Sequence, residues 1–184
     1  KGVEEGVIKG MYRYQKSTKK SKRKAHLMGS GSIMSQVLEA KELLESMDIS
    51  TDIWSVTSYT ELQREALNAE REALLSTAEK KPKSYIETIL EKETGVFVSV
   101  SDYMKSWGMG ISKWMPEAYH VLGTDGYGLS ESRTDLRDYF EISPKYIALA
   151  ALQLLRKEGE VTAKEVKDFI KAQNIDSAKI NPAL

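Results

Sequence analysis

Three short stretches hold the residue types that catalysis or ligand binding draws on. The first is VLGTDGYGLSESR, residues 121–133, with three glycines, an aspartate, an aromatic, hydroxyls, a glutamate and an arginine. Its glycines run G-x-x-G-x-G, the reverse of the dinucleotide order G-x-G-x-x-G, and the aspartate in their midst would repel a phosphate. Glycine here suits positive φ or close backbone approach, and Asp125 and Arg133 are free to hydrogen-bond to a neighbouring domain or subunit. The second stretch, Gly29, Ser30, Gly31 and Ser32, leads from a strand into a helix and can offer backbone N–H groups to an anion. It lacks both the third glycine of a dinucleotide fingerprint and the lysine of a P-loop, so it reads as a tight structural turn. The third, Ser101, Asp102 and Tyr103, follows an apolar strand at the place where open α/β sheets bind ligands. Asp102 either joins such a site or caps the following helix.

The rest of the catalytic inventory is thin. His26 and His120 each stand among apolar neighbours in a predicted strand, where core or edge packing is the expected role. There is no H-x-x-x-H, no G-x-S-x-G and no nucleophile with an obvious partner. Cysteine is absent, which excludes disulfides and thiolate chemistry.

These residues need a scaffold, and periodicity supplies one. GMYRYQ and AHLMGSG are extended runs flanking KSTKKSKRK, which predicts an edge hairpin with a solvated basic tip at residues 16–24. Six of those nine residues are basic, but no aromatics interleave with them, so nucleic-acid binding is the lesser reading. Ile33, Val37, Ala40, Leu44 and Met47 mark one face of a helix. Residues 51–57 read as a strand, residues 61–80 as a charged helix and residues 84–90 as a short one after Pro82. Val96 to Val100 is a buried strand. The stretch MKSWGMGISKWMP is a poor helix by propensity because of Gly108 and Gly110, and its Trp107 and Trp114 would share a face. A strand at 119–122 enters the glycine loop. Ser130 or Ser132 then caps a short helix holding Leu136, Tyr139 and Phe140. Ser143 with Pro144 starts a long apolar helix that Gly159 ends, and Thr162 with Glu165 forms a capping box for the last one, with Val166, Phe169 and Ile170 inward. The expected fold is a three-layer α/β/α domain with a mostly parallel sheet of about five strands and an antiparallel edge.

At 184 residues, 41% hydrophobic and 29% charged, the chain suits one domain with a short appendage. Twenty-seven basic residues balance 27 acidic ones, so no overall field attracts nucleic acid or an anionic membrane. No apolar run is long enough to span a bilayer, and the charged-then-apolar design of a signal peptide is missing. The expectation is a cytoplasmic protein. The opening KGVEEGVIKGMYRYQ lacks methionine and reads as the middle of a segment, which predicts a piece of a longer polypeptide.

HLMGSGSI, TDIWSVTSYTEL, SVSDYMK, YHVLGTDGYGLSESRTDLRDYFEI and NIDSAKINPAL resemble, in that order, the C-terminal domain of the homodimeric, single-chain pyruvate dehydrogenase decarboxylating component. That family belongs with the transketolases among thiamine-diphosphate enzymes. The resemblance implies residues 1–23 as an incoming linker or edge hairpin and residues 24–184 as a transketolase C-terminal-like α/β domain. It implies a parent that decarboxylates pyruvate with thiamine diphosphate and Mg²⁺ and passes the acetyl unit to a lipoyl group on dihydrolipoyl acetyltransferase. Upstream domains and a second subunit are then the neighbours, and the cofactor ligands and catalytic residues lie outside this chain. Asp102, Tyr103, Gly123, Asp125, Gly126, Gly128 and Arg133 become candidate docking residues. Leu129 stands where the resemblance leads one to expect an arginine, and WGMG replaces a more regular helical stretch; both bear on docking. The competing reading is a free-standing module that binds a small anion or a protein partner at Gly29–Ser32 and Ser101–Tyr103.

Overall fold

The computed structural model describes residues 2–183. A short helix α1 (Glu4–Lys9) leads into β1 (Met11–Gln15). The chain then alternates through β2 (Lys24–Gly29), α2 (Met34–Ser46), β3 (Ser50–Val56), α3 (Tyr59–Leu75), α4 (Tyr85–Leu90), β4 (Val96–Val100), α5 (Lys105–Met109) and β5 (Tyr119–Leu122), before α6 (Arg133–Tyr139), α7 (Pro144–Lys157) and α8 (Ala163–Ala172). The sheet order is β1-β3-β2-β4-β5; β1 is antiparallel to β3 and every other pair is parallel. This is the expected three-layer α/β/α fold with one antiparallel edge. Among the described residues no helix is long and apolar enough to cross a membrane.

Side chains on successive strand residues point to opposite faces, and both faces are covered. Leu27, Ile53 and Val98 meet Val37 and Leu44 of α2 and Ile147, Ala151 and Leu155 of α7. Met28, Trp54 and Phe97 meet Leu62 and Ala66 of α3, Ile86 and Leu90 of α4, and Trp114. Local signals set the helix starts. Ser84 with Glu87 and Thr162 with Glu165 form complete capping boxes, and Pro144 takes the first turn of α7. Helix α3 stops at Leu75, short of the expected Lys80, because Ser76 turns extended and its hydroxyl accepts the Ala78 N–H.

Two expectations fail. β1 and β2 do not form a hairpin, since β3 lies between them. The basic segment instead crosses the amino end of β3, where Ser17 N–H donates to Asp52 Oδ1 at 2.8 Å and Ser21 Oγ to the Asp48 carbonyl at 2.7 Å. Three of its six charges face acids of the same chain: Lys19 lies 3.4 Å from Asp48, Arg23 2.7 Å from Glu165 and Lys24 2.9 Å from Glu93. Trp107 and Trp114 do not share a face either. Helix α5 ends at Met109, so no helical period links them, and Trp114 is 9% exposed while Trp107 is 44% exposed. The first glycine of WGMG has a packing reason: a Cβ on Gly108 would lie 2.6 Å from Val121 Cγ1, so glycine lets α5 rest on β5.

A polar cluster closes the amino end of the sheet. Arg13 of β1 bonds to Glu93 and lies 4.6 Å over the Trp54 ring, while Lys24 of β2 bonds to Glu93 at 2.9 Å. Asp52 is buried; its Oδ2 has no hydrogen bond but faces Arg13 Nε at 3.8 Å and Lys24 Nζ at 3.7 Å. His26, fully buried and stacked on Phe97 at 4.4 Å, contacts the Thr94 carbonyl through Nε2 at 3.0 Å and receives the Trp54 indole N–H on Nδ1 at 3.1 Å. A carbonyl only accepts and an indole N–H only donates, so the ring is the neutral Nε2–H tautomer. Burial accordingly drives the His26 pKa down from 6.5 to about 4.

A histidine whose pKa is lower folded than unfolded stabilises the fold above its unfolded pKa, and that stability drains away as pH falls toward the folded value. Urea unfolding followed by tryptophan fluorescence should therefore show stability declining from pH 6.5 to 4, with roughly 3 kcal/mol of the loss due to His26. His26→Gln should flatten that decline; an unchanged slope in the variant would refute the assignment.

Candidate functional site at the carboxyl edge of the sheet

The carboxyl ends of β2, β4 and β5 converge beside α6 and border an open-mouthed cavity of about 570 Å³. Ser32 comes from the turn after β2, Asp102 from the end of β4, Thr124 from the loop after β5, and Arg133 and Arg137 from successive turns of α6. Ser32 Oγ donates to Asp102 Oδ2. One terminal nitrogen of Arg137 donates to the Ser32 carbonyl and hydroxyl, each at 3.2 Å, and stands 3.6 Å from Asp102 Oδ2. Arg137 is only 8% exposed, yet its Nε is buried without a hydrogen-bond partner. Leu129, Leu136, Phe140 and Ile142 form the apolar part of the lining.

The glycine loop is braced from below by the strand end beside it. Thr124 N–H donates to the Tyr103 carbonyl at 2.9 Å and Thr124 Oγ1 to the Asp102 carbonyl at 3.0 Å. Asp125 accepts the Lys105 N–H at 3.0 Å and lies 3.8 Å from that lysine's ammonium, so its carboxylate holds the start of α5. A Cβ on Gly123 would lie 2.5 Å from the Tyr103 carbonyl oxygen, while Gly126 has φ of 98° and would press a Cβ to within 2.7 Å of the Pro182 carbonyl oxygen. Close approach and positive φ thus account for two of the three loop glycines; Gly128 meets neither condition. The carboxyl tail closes over this region, with Lys179 Nζ donating to the Asp138 and Tyr139 carbonyls at 2.8 and 2.7 Å.

Large hydrophobic side chains are exposed on the segments that follow β4 and β5: Tyr103, Met104, Trp107, Tyr127 and Leu129, of which Leu129 also lines the cavity and Tyr127 is 91% exposed. Residues singled out in two separate stretches, Ser101–Tyr103 and 123–133, therefore form one surface with Ser32. Asp102 does not cap α5: the residue at the cap position is Met104, with no side-chain cap, and the Asp102 carboxylate turns instead toward Ser32 and Arg137. Ser132 caps α6 by accepting the Asp135 N–H. Arg137 was missed by sequence reasoning because a charged residue on a short helix is expected outside; its place at i+4 from Arg133 was the available signal.

Of the groups that could hold a metal, His26, Asp52 and Glu93 bring ligand atoms within 4.8 Å of one another. Their chemistry argues against it. Both imidazole nitrogens are committed to Thr94 and Trp54, and Arg13 and Lys24 already supply the positive charge. His120 lies on the outer strand β5, exposed, and its side chain has no hydrogen-bond partner among the described residues.

A family model described as the transketolase-like TK C-terminal domain matches residues 10–143. The pyruvate dehydrogenase E1 component of Buchnera aphidicola subsp. Acyrthosiphon pisum is 45% identical over 185 residues, covering 100% of this chain and 20% of that protein. The protein of the same name from Pseudomonas aeruginosa is 41% identical over 184 residues, covering 99% and 21%. The chain thus spans about a fifth of the length of the curated relatives it matches. Among solved structures, transketolase from Campylobacter jejuni aligns with a TM-score of 0.54 at 20% identity over 80% of this chain and 19% of that one. That likeness concerns the fold alone.

The loop's packing is testable with a pair of alanines. Gly123→Ala must displace backbone atoms of Tyr103 and Lys105 and should cost about 1–3 kcal/mol in thermal melts. Gly128→Ala meets nothing within 4 Å and should change stability by less than about 0.5 kcal/mol. Equal effects would refute the bracing.

Proposed function

The chain belongs to the transketolase-like C-terminal domain family, and on that premise we propose that it is the C-terminal domain of a homodimeric pyruvate dehydrogenase E1 component, serving assembly rather than chemistry. The observation that carries this reading is the end-to-end likeness, at 45% identity, to one fifth of such a component. The parent decarboxylates pyruvate and passes the acetyl unit to a lipoyl group on dihydrolipoyl acetyltransferase. Thiamine diphosphate, with Mg²⁺, supplies the electron sink for that reaction.

The residues of this chain do not fit that cofactor. A diphosphate with its metal wants unopposed backbone N–H groups and free carboxylate ligands. Here the glycine turns stand beside Asp102, Asp125 and Glu131, and the buried carboxylates Asp52 and Glu93 face Arg13 and Lys24. This supports placing the cofactor and the catalytic residues in upstream domains. The exposed hydrophobic side chains Tyr103, Met104, Trp107, Tyr127 and Leu129 support the role left to this domain, which is docking against those domains or the second subunit. Leu129 adds apolar surface where an arginine would have placed a charge. Asp102, Gly123, Asp125 and Gly126 set the shape of these segments from within, and Arg133 carries a charge at their border.

An immunoblot of the source cells with an antibody against residues 160–183 tests the reading. The expected band is about five times heavier than this chain's 20.7 kDa; one near 20.7 kDa would overturn it in favour of the free-standing module. Within the parent, Tyr127→Ala should weaken subunit or domain association while leaving the stability of this domain within about 0.5 kcal/mol. Unchanged association in sedimentation would remove Tyr127 from the docking surface.

A further inference from the structure

We propose that the cavity at the carboxyl edge is a binding site for a small organic carboxylate with an apolar body, received by Arg133 and Arg137. This assignment does not depend on the identity of the parent enzyme. Its volume of about 570 Å³ lies in the usual range for small-molecule sites. Its position beyond the carboxyl ends of three parallel strands is where α/β sheets bind ligands.

The polar groups are unevenly spent. Arg137 has five N–H donors. Those of one terminal nitrogen go to Ser32, Nε has no partner, and the other terminal nitrogen has no hydrogen bond among the described residues. A guanidinium this buried is costly with donors left idle. Arg133, one turn earlier on the same wall, has neither a hydrogen bond nor an ion pair among the described residues. Arg133 and Arg137, at i and i+4, both line the cavity, and a guanidinium donates well to a carboxylate.

The remaining lining selects among anions. Asp102 and Glu131 stand in the same wall and would repel a phosphate dianion more strongly than a monocarboxylate. Leu136, Phe140 and Ile142 offer apolar surface that inorganic phosphate could not use. Asp102 is itself held by Ser32 and Arg137, which leaves Arg133 as the charge freest to move onto a ligand.

The test uses hexanoate, its neutral analogue hexanamide, and inorganic phosphate, titrated into the 184-residue chain and followed by amide chemical shifts. Saturable hexanoate binding is expected, with a dissociation constant of about 1 mM or tighter. The shifts should centre on Ser32, Thr124 and Leu136. Hexanamide and phosphate should each bind about tenfold more weakly or not at all. Arg133→Gln should weaken hexanoate by a similar factor; because Arg133 is exposed, this variant should keep the wild-type melting temperature. Arg137→Lys, which keeps the charge but loses the fork, should also weaken it. No saturable hexanoate binding, hexanamide or phosphate binding as tightly as hexanoate, or full affinity in Arg133→Gln would overturn the proposal.

Discussion

Four strand segments of this domain are held in register by charges gathered around one buried carboxylate, that of Asp52. Arg13 from β1, Lys24 and His26 from β2, Asp52 and Trp54 from β3, and Glu93 and Thr94 before β4 meet at one end of the sheet. A slip of one residue in any strand would send its contribution to the opposite face. It would also strand a buried charge, which costs far more than the intact network gains. The cluster is therefore better understood as a device for alignment than as a source of net stability. Burial disfavours the Glu93 carboxylate, but hydrogen bonds from Lys24 and Arg13 outweigh that and hold its pKa below the ordinary value. Trp54 and Phe97 then wall the cluster off with aromatic surface.

With the amino edge closed in this way, variation is left to the carboxyl edge. There the strands end in a serine turn, an aspartate and a glycine loop, packed through backbone and side-chain contacts that fix positions without consuming every side chain. Thr124 and Gly123 tie the loop to Tyr103, and Asp125 ties it to α5. What remains outward is a set of exposed hydrophobic side chains and a cavity with two arginines. The two ends of the sheet thus divide the labour, one setting register and the other presenting surface.

Much of this was legible before any coordinates. Continuous apolar runs gave the central strands, because a strand covered on both faces has no polar alternation to confuse with a loop. Ser130 or Ser132, and Thr162, gave helix starts because a cap is satisfied within three residues of itself; the structure settles the first on Ser132. The failures share a cause, which is distance along the chain. β1 pairs with β3 because Arg13 needs Asp52 and Glu93, partners that no local pattern announces. Asp102 has helix-cap chemistry at the right spot, but Ser32, seventy residues earlier in the chain, takes its carboxylate. Arg137 is buried for the same reason. Tyr103 became a docking candidate through resemblance, whereas Tyr127 stood out only once its exposure was seen, since exposure cannot be read from residue type.

The carboxyl tail couples two regions that would otherwise open separately. Lys179 occupies the last carbonyls of α6, and the Pro182 carbonyl lies against Gly126. Lifting the tail would free the loop and the end of α6 together, so these segments constitute one unit of local unfolding. Amide hydrogens there would exchange with solvent through a shared opening whose free energy is set by the tail. A partner that grips the tail could then stiffen the cavity rim without touching it.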